Sequence, residues 1–197
     1  MSEKLNGFRM PGEWEKQKSV WIAWPYNKND WPGLYKFIPE VILEIIYKIS
    51  KHQKVNLIIN NKIESIKKMF KSSKIKNVSL HKIKTDRIWL RDSGPIFLIN
   101  KKYKEKIILN FVFNGWAKYK NYKNDNKIND KLSKIIKLKK INPAIKKNGK
   151  SRKVTMEGGA FDVNGAGTIL LTEECLLSKI QERNKKFNKK DYEEIFN

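Results

Sequence analysis

Between Asp86 and Asp92 the chain sets two carboxylates, two guanidinium groups (Arg87 and Arg91) and one indole (Trp89) close together, then stops at Gly94-Pro95. Opposed charges around a large aromatic suit a pocket floor that grips a flat cation better than they suit a plain surface strand. Ile96-Phe97-Leu98-Ile99 follows as a short apolar run and reads as a buried strand, so the charged cluster sits at the mouth of an element that continues into the core. Two readings of these residues stand side by side, a functional site and a structural Arg–Asp network. A second carboxylate, Glu157, precedes Gly158-Gly159. Paired glycines weaken a strand and mark a bulge or a close approach by a ligand or another backbone. Carboxylates at Asp92 and Glu157 would match a guanidinium, which offers five donors in a fixed fork. The plainer alternative is that Glu157 balances Arg91 or Arg152.

Other chemistries find less support. The two histidines, His52 and His81, have no neighbouring Cys or His, so no metal site is expected and each reads as structural or solvated. Gly165-Ala166-Gly167 lacks the strand-to-helix setting of a dinucleotide fingerprint. The single cysteine, Cys175, excludes an intramolecular disulfide framework and points to a reduced, cytoplasmic setting. No apolar run approaches the length that spans a bilayer, and the first twenty residues do not resemble a signal peptide.

The net charge of +23 raises the question of nucleic acid, but only five of the 43 basic residues are arginine. The lysines are scattered through every segment alongside much isoleucine and asparagine, as AT-rich coding would give. Specific nucleic-acid readers concentrate arginine, whose planar fork reads bases and phosphates bidentately. The charge is read as a compositional surface, and no nucleic-acid partner is expected.

The elements that must hold these residues follow from periodicity. Residues 19–25 read as a first strand closed by Pro25, with Trp21 and Trp24 on opposite faces. Leu34, Phe37, Ile38, Val41, Ile42, Ile45, Ile46 and Ile49 form one apolar stripe of a helix that starts near Pro39 and packs on a sheet. Residues 55–59 and 76–81 read as strands flanking a helix over 61–70. Residues 106–113 read as a strand with Ile107, Leu109, Phe111 and Phe113 on one face, and 128–138 as a helix. Residues 117–127 read as a long loop and 139–153 as a basic connection. Residues 154–163 and 168–172 read as a hairpin, and helices open at Glu173 and Asp191. These blocks make neither a regular βαβ alternation nor an all-β pattern.

Taken together, Arg9-Met10-Pro11-Gly12-Glu13-Trp14-Glu15, Trp21-Ile22-Ala23-Trp24-Pro25, the Asp86 to Pro95 stretch, Phe113-Asn114-Gly115-Trp116 and Glu157-Gly158-Gly159 resemble the agmatine deiminase family. That family is related to the bacterial peptidylarginine deiminases within the guanidine-modifying pentein superfamily, and the match runs in register from about Phe8 to about Leu177. The resemblance implies an α/β fold, a pentein-type propeller of ββαβ blades of which residues 1–197 would be roughly the first half. It implies hydrolysis of agmatine to N-carbamoylputrescine and ammonia through a covalent amidino intermediate on cysteine, with no metal or organic cofactor. By the same resemblance Asp92 and Glu157 are the catalytic carboxylates, Trp89 lines the substrate channel, and Asp86 and Trp116 stand at the pocket wall. Arg91 is expected to hold carboxylates in place.

The departures from the family are as informative. Its His-x-Asp motif lies downstream of Glu-Gly-Gly, and no histidine follows His81 here. Its nucleophile lies in a glycine-rich segment, whereas Cys175 matches the start of a helix after the hairpin and reads as a small buried residue. The chain is therefore expected to be a portion lacking the nucleophile and the acid–base histidine. A homo-oligomer or a completing C-terminal polypeptide is the expected partner, with a small guanidinium compound as ligand. Peptidyl-arginine in place of agmatine, and a non-catalytic binding module, are the alternatives.

Overall fold

A computed structural model describes residues 5–61, 63–147 and 149–196. The chain divides into two units, Lys16–Leu90 and, separately, Arg91 onward joined by the lead-in up to Glu15.

The Lys16–Leu90 unit alternates β1 (Ser19–Ala23), α1 (Ile38–Ser50), β2 (Lys54–Ile59), α2 (Ile63–Ser72) and β3 (Val78–Lys82). All three strands run parallel in the order β1-β2-β3, with Val20 beside Val55 and Val55 beside Val78. Central β2 is buried at every position after Lys54, as a parallel strand covered on both faces must be. Its one polar member, Asn56, is satisfied by the His81 ring, which also lies against Trp21 with ring centroids 4.8 Å apart. The core joins Ile46 of α1, Ile66 and Phe70 of α2, and Val55, Leu57 and Ile59 of β2.

This unit is a regular βαβαβ, contrary to the alternation denied from sequence. The irregularity belongs to the other unit. Pro39 sits in the first turn of α1, where no intrahelical partner is lost. The expected apolar stripe is only half buried, because eight apolar positions subtend a wider arc than one sheet covers. Leu34, Phe37, Val41 and Ile45 remain exposed, the first two displaced into the turn that precedes the helix.

The second unit opens with a single turn, α3 (Leu90–Ser93), of which Arg91 onward belong to it. There follow β4 (Ile96–Asn100), β5 (Glu105–Leu109), α4 (Ile128–Ile136) and β6 (Lys139–Ile141). The β4–β5 pair is antiparallel and β5–β6 parallel, so these elements form one ββαβ blade of the kind the resemblance implies. The strand expected over 106–113 ends at Leu109. Beyond it Val112 forms a parallel bridge to Thr155, its amide donating to Val154 O and Met156 donating back. That bridge delivers the chain at Glu157 to the segment that carries Trp116.

The basic connection expected over 139–153 is instead β6 and a hairpin of β7 (Ala144–Lys147) and β8 (Lys150–Lys153). Lysine at most of these positions hid the alternation, although Asn148-Gly149 is a strong two-residue hairpin signal, and Gly149 has a φ of +73°. The second hairpin, β9 (Phe161–Val163) with β10 (Ile169–Leu171), turns around the Asn164 carboxamide, which accepts from the amides of Ala166 and Thr168. Residues 154–160 of that predicted strand are irregular, ending in a short turn over Gly158–Ala160. Two helices, α5 (Glu173–Leu177) and α6 (Lys189–Phe196), complete the unit. Its core gathers Ile96, Phe111, Val154, Met156, Phe161 and Leu176, and Cys175 packs against it half-buried.

Candidate active site

Within the second unit, α3 and the Gly158–Ala160 turn meet closely enough that only glycine fits. A Cβ on Gly158 would lie 2.3 Å from the Arg91 carbonyl oxygen, and one on Gly159 would lie 2.3 Å from Asp92 Oδ1. The sequence read the glycine pair as a strand interrupted by a close approach. The approach is there, made by a backbone and a carboxylate, and the segment is a turn.

Asp92 is held from two sides, by the Gly159 amide and by Trp116, whose Nε1 donates to Oδ2 at 3.2 Å. Burial is the largest influence on its carboxyl and raises its pKa, opposed by these two donors and by the nearby Arg91 and Arg183 charges. Trp116 reaches Asp92 from a left-handed turn in which Gly115, Trp116 and Ala117 all have positive φ, of 67°, 61° and 56°. Two of the three carry side chains and each pays about 1 kcal/mol or more for that conformation. The indole is then fixed edge-on between Phe113 and Tyr119, at 5.1 and 5.8 Å.

Trp116→Phe keeps the ring and removes the donor. We expect the Asp92 pKa to rise further and affinity for a guanidinium ligand to fall roughly tenfold, about 1.5 kcal/mol. Calorimetric titration of wild type and variant checks this, and equal affinities would remove Trp116 from the site.

Glu157 is buried, at 2 % exposure, and its Oε1 accepts from Arg183 Nε at 2.7 Å. Burial is again the largest influence and raises the carboxyl; Arg183 pulls it down and the Asp92 charge pushes it up. The two carboxylates therefore feel one another across the glycine turn. Arg183 was not singled out from sequence, where Arg91 and Arg152 stood as candidates for balancing Glu157. Arg91 is engaged by Glu13 and by Asp162 at 2.9 Å, and Arg152 donates to the Lys185 carbonyl. The neighbouring Asn184 is buried, so the loop turns inward, and nothing in the sequence signalled it.

The lead-in motif is accounted for by the same region. Arg9 grips Glu15 with both terminal nitrogens, at 2.5 and 2.7 Å, and also donates to the Gly165 carbonyl. Arg9, with the Gly12 amide, pulls the Glu15 pKa down to about 2. The knot fixes the loop from which Glu13 meets Arg91.

Trp89 and Asp86 lie in the Lys16–Leu90 unit. Trp89 is 43 % exposed and its ring centroid is 6.3 Å from that of Trp31. Asp86 is half-buried. Next to it Arg87 forms a buried pair with Asp30 at 2.5 Å, so this arginine of the motif is structural. The stretch is anchored by Asn60, whose carboxamide accepts from the Thr85 amide and donates to its carbonyl. Both histidines also belong to this unit. Among the described residues no cluster of His, Cys, Asp and Glu could hold a metal ion, and no helix is long and apolar enough to cross a membrane.

Known proteins share the sequence and the fold of this chain. A Streptococcus mutans protein described as an agmatine deiminase is 31 % identical over 201 residues, which cover 97 % of this chain and 50 % of that protein. The solved agmatine deiminase of Enterococcus faecalis superposes with a TM-score of 0.78 at 28 % identity, over 98 % of this chain and 50 % of its own. A C. jejuni agmatine deiminase solved with substrate bound gives 0.72 at 29 % identity, over 96 % and 53 %. The chain thus spans about half the length of the curated relatives it matches, and shares their α/β fold over that span. The profile of the Porphyromonas-type peptidyl-arginine deiminases matches residues 9–197. The chain belongs to that family.

Proposed function

We propose that this chain supplies the guanidinium-gripping carboxylates of an agmatine deiminase, the enzyme that turns agmatine and water into N-carbamoylputrescine and ammonia on the way to polyamines. The observation that carries the reading is the pair of half-buried Asp92 and buried Glu157, brought together by a turn whose Gly158 and Gly159 leave no room for a side chain. A flat cation with several donors satisfies both carboxylates at once, and the low polarity that raises their pKa values strengthens its binding. As the carbon is attacked, the same two groups hold the guanidinium in plane and stabilise the charge it carries. In this reading the protein works in the cytoplasm, and the fold is a pentein-type propeller.

The thiolate and imidazole that the resemblance requires have no matching position among these 197 residues. Cys175 packs half-buried on the core and is read as a packing residue. Binding without turnover is the expected behaviour of the chain by itself. Calorimetry with agmatine and with putrescine, the same diamine skeleton without the guanidinium, tests the reading. Agmatine is expected to bind and putrescine to fail. Equal binding of both would reduce the site to general charge attraction. Ammonia release above a Glu157→Gln control would overturn the expectation of no turnover. The family profile keeps peptidyl-arginine as a second reading, favoured if an arginine-containing peptide binds more tightly than agmatine.

A further inference from the structure

The short loop after α5 does more than close the chain around the core. Asn184, itself buried, uses its carboxamide as a strand partner for Thr155, accepting from the Thr155 amide at 2.8 Å and donating to its carbonyl at 2.7 Å. Its Nδ2 also donates to the Tyr192 hydroxyl, which in turn donates to the Leu176 carbonyl. Arg183, one residue earlier, is clamped along two edges: Nε on Glu157 Oε1 and Nη1 on the Gln181 carbonyl. The paired side chains are 6 % and 3 % exposed. Two adjacent residues thus brace the backbone at 155 and the carboxylate at 157 together.

We infer that Arg183 is a positioning residue for the guanidinium site: it fixes the Glu157 carboxylate and sets the site's net charge to complement one incoming cation. The inference rests on reading Asp92 and Glu157 as the groups that bind the guanidinium. Asp92 and Glu157 ionised together carry two negative charges in a buried place, which favours protonation of one of them. Arg183 cancels one charge and leaves a single negative charge for a single guanidinium. Arg91 also draws the Asp92 carboxyl down, but Glu13 and Asp162 offset its charge. Asp92 from α3 and Arg183 from the loop act on Glu157, Arg91 of α3 acts with Arg183 on Asp92, and Tyr192 from α6 feels Arg183. A bidentate substrate clamp made by Arg183 itself is ruled out by its sign. It repels the substrate and acts through Glu157.

The test uses the 197-residue chain with glutamate carboxyl carbons and arginine side-chain nitrogens isotopically labelled, the Glu157 signal being assigned with Glu157→Gln. In the wild type the Arg183 Nε–H resonance is expected to shift with the same midpoint as the Glu157 carboxyl. In Arg183→Gln the Glu157 midpoint is expected to rise by about one to three pH units, and Arg183→Lys, which restores the charge, to bring most of it back. The pH at which agmatine affinity reaches half its plateau should rise by the same interval. An arginine that only braced the loop through the Gln181 carbonyl would change stability and leave the midpoint in place. An unmoved midpoint in a folded Arg183→Gln, or a wild-type Nε–H indifferent to Glu157 ionisation, overturns the inference. The wild-type measurement decides even if the variant unfolds. Agmatine plays no part in the carboxyl titration, so loss of the substrate reading and loss of the Arg183–Glu157 coupling give different results.

Discussion

Replacing Asp92 with asparagine is expected to weaken agmatine binding about a hundredfold, near 3 kcal/mol, with little change in fold. The amide has the volume of the carboxylate but only one acceptor oxygen, so it keeps one of the two donors, Trp116 Nε1 or the Gly159 amide, and the change removes the charge and one hydrogen bond together. Truncating one partner of a buried charge pair costs 2–5 kcal/mol or more, much of it from the opposite charge left without its counter-ion. Here the stranded charge is the ligand's guanidinium, and the loss shows as affinity.

The pH dependence gives the sign an independent check. Asp92 and Glu157 both have raised carboxyl pKa values, chiefly from burial. A cation prefers them ionised, so wild-type affinity climbs as pH rises through that raised range and is flat above it. In Asp92→Asn, Glu157 loses a like-charged neighbour and its pKa falls. The weaker residual affinity should therefore develop at lower pH than in the wild type. For the unliganded chain the linkage runs the other way: a carboxyl raised on folding contributes stability that is full below its unfolded value and lost as pH rises through its folded one. Asp92→Asn should flatten part of that decline. Calorimetric titrations and denaturant curves from about pH 4 to pH 8, spanning the carboxyl range, measure both. Unchanged affinity in Asp92→Asn would end its assignment as a binding carboxylate.

The second large effect is steric. Gly158→Ala places a methyl group 2.3 Å from the Arg91 carbonyl oxygen, where the obstacle is backbone and no side chain can swing aside. We expect a loss of about 3 kcal/mol, the upper end of ordinary overpacking, because α3 and the turn must separate. Gly159→Ala meets the Asp92 carboxylate, which a χ rotation moves, so its cost should be smaller in stability and larger in agmatine affinity. The denaturation midpoint and the titration, measured on both variants, separate the two. Equal stability of Gly158→Ala and wild type would contradict the close approach of α3 to the turn.

How far the residues themselves announced this arrangement depends on which interaction is in question. Strand β2 was legible because Val55, Leu57, Ile58 and Ile59 form an apolar run interrupted only by Asn56, and α2 because Ile63, Ile66 and Phe70 keep helical spacing, but the parallel pairing of the strands was not. Asp92 and Glu157 were legible through the motifs around them, and the glycine pair flagged the contact between their segments. The β7–β8 hairpin was missed because only Ile145 is buried along β7, and lysines filled the alternating places. Arg183 was missed for a different reason. An arginine far along the chain from its partner leaves no periodic trace, and its burial is a property of the loop's path, set by Asn184 and Tyr192. The left-handed turn at Trp116 was equally silent, since one glycine at 115 does not foretell two further residues in that conformation.

Carboxamides recur in this chain wherever a strand stops short: Asn184 completes Thr155, Asn60 completes Thr85, Asn126 caps Phe113 and Asn164 closes the last hairpin. Asn184 and Asn60 work only as amides, since their bonds to the Thr155 and Thr85 carbonyls need the nitrogen's hydrogens, whereas Asn126 and Asn164 only accept. Hydrolysis at Asn184 would turn a donor into a carboxylate and set two acceptors face to face beside Thr155, two residues from Glu157. Amides are among the side chains least durable to heat. The framework of this site thus has a chemical lifetime as well as a free energy. Prolonged warming should erode the Glu157 anchor by slow ageing of its neighbour, in molecules whose sheets and helices are otherwise intact.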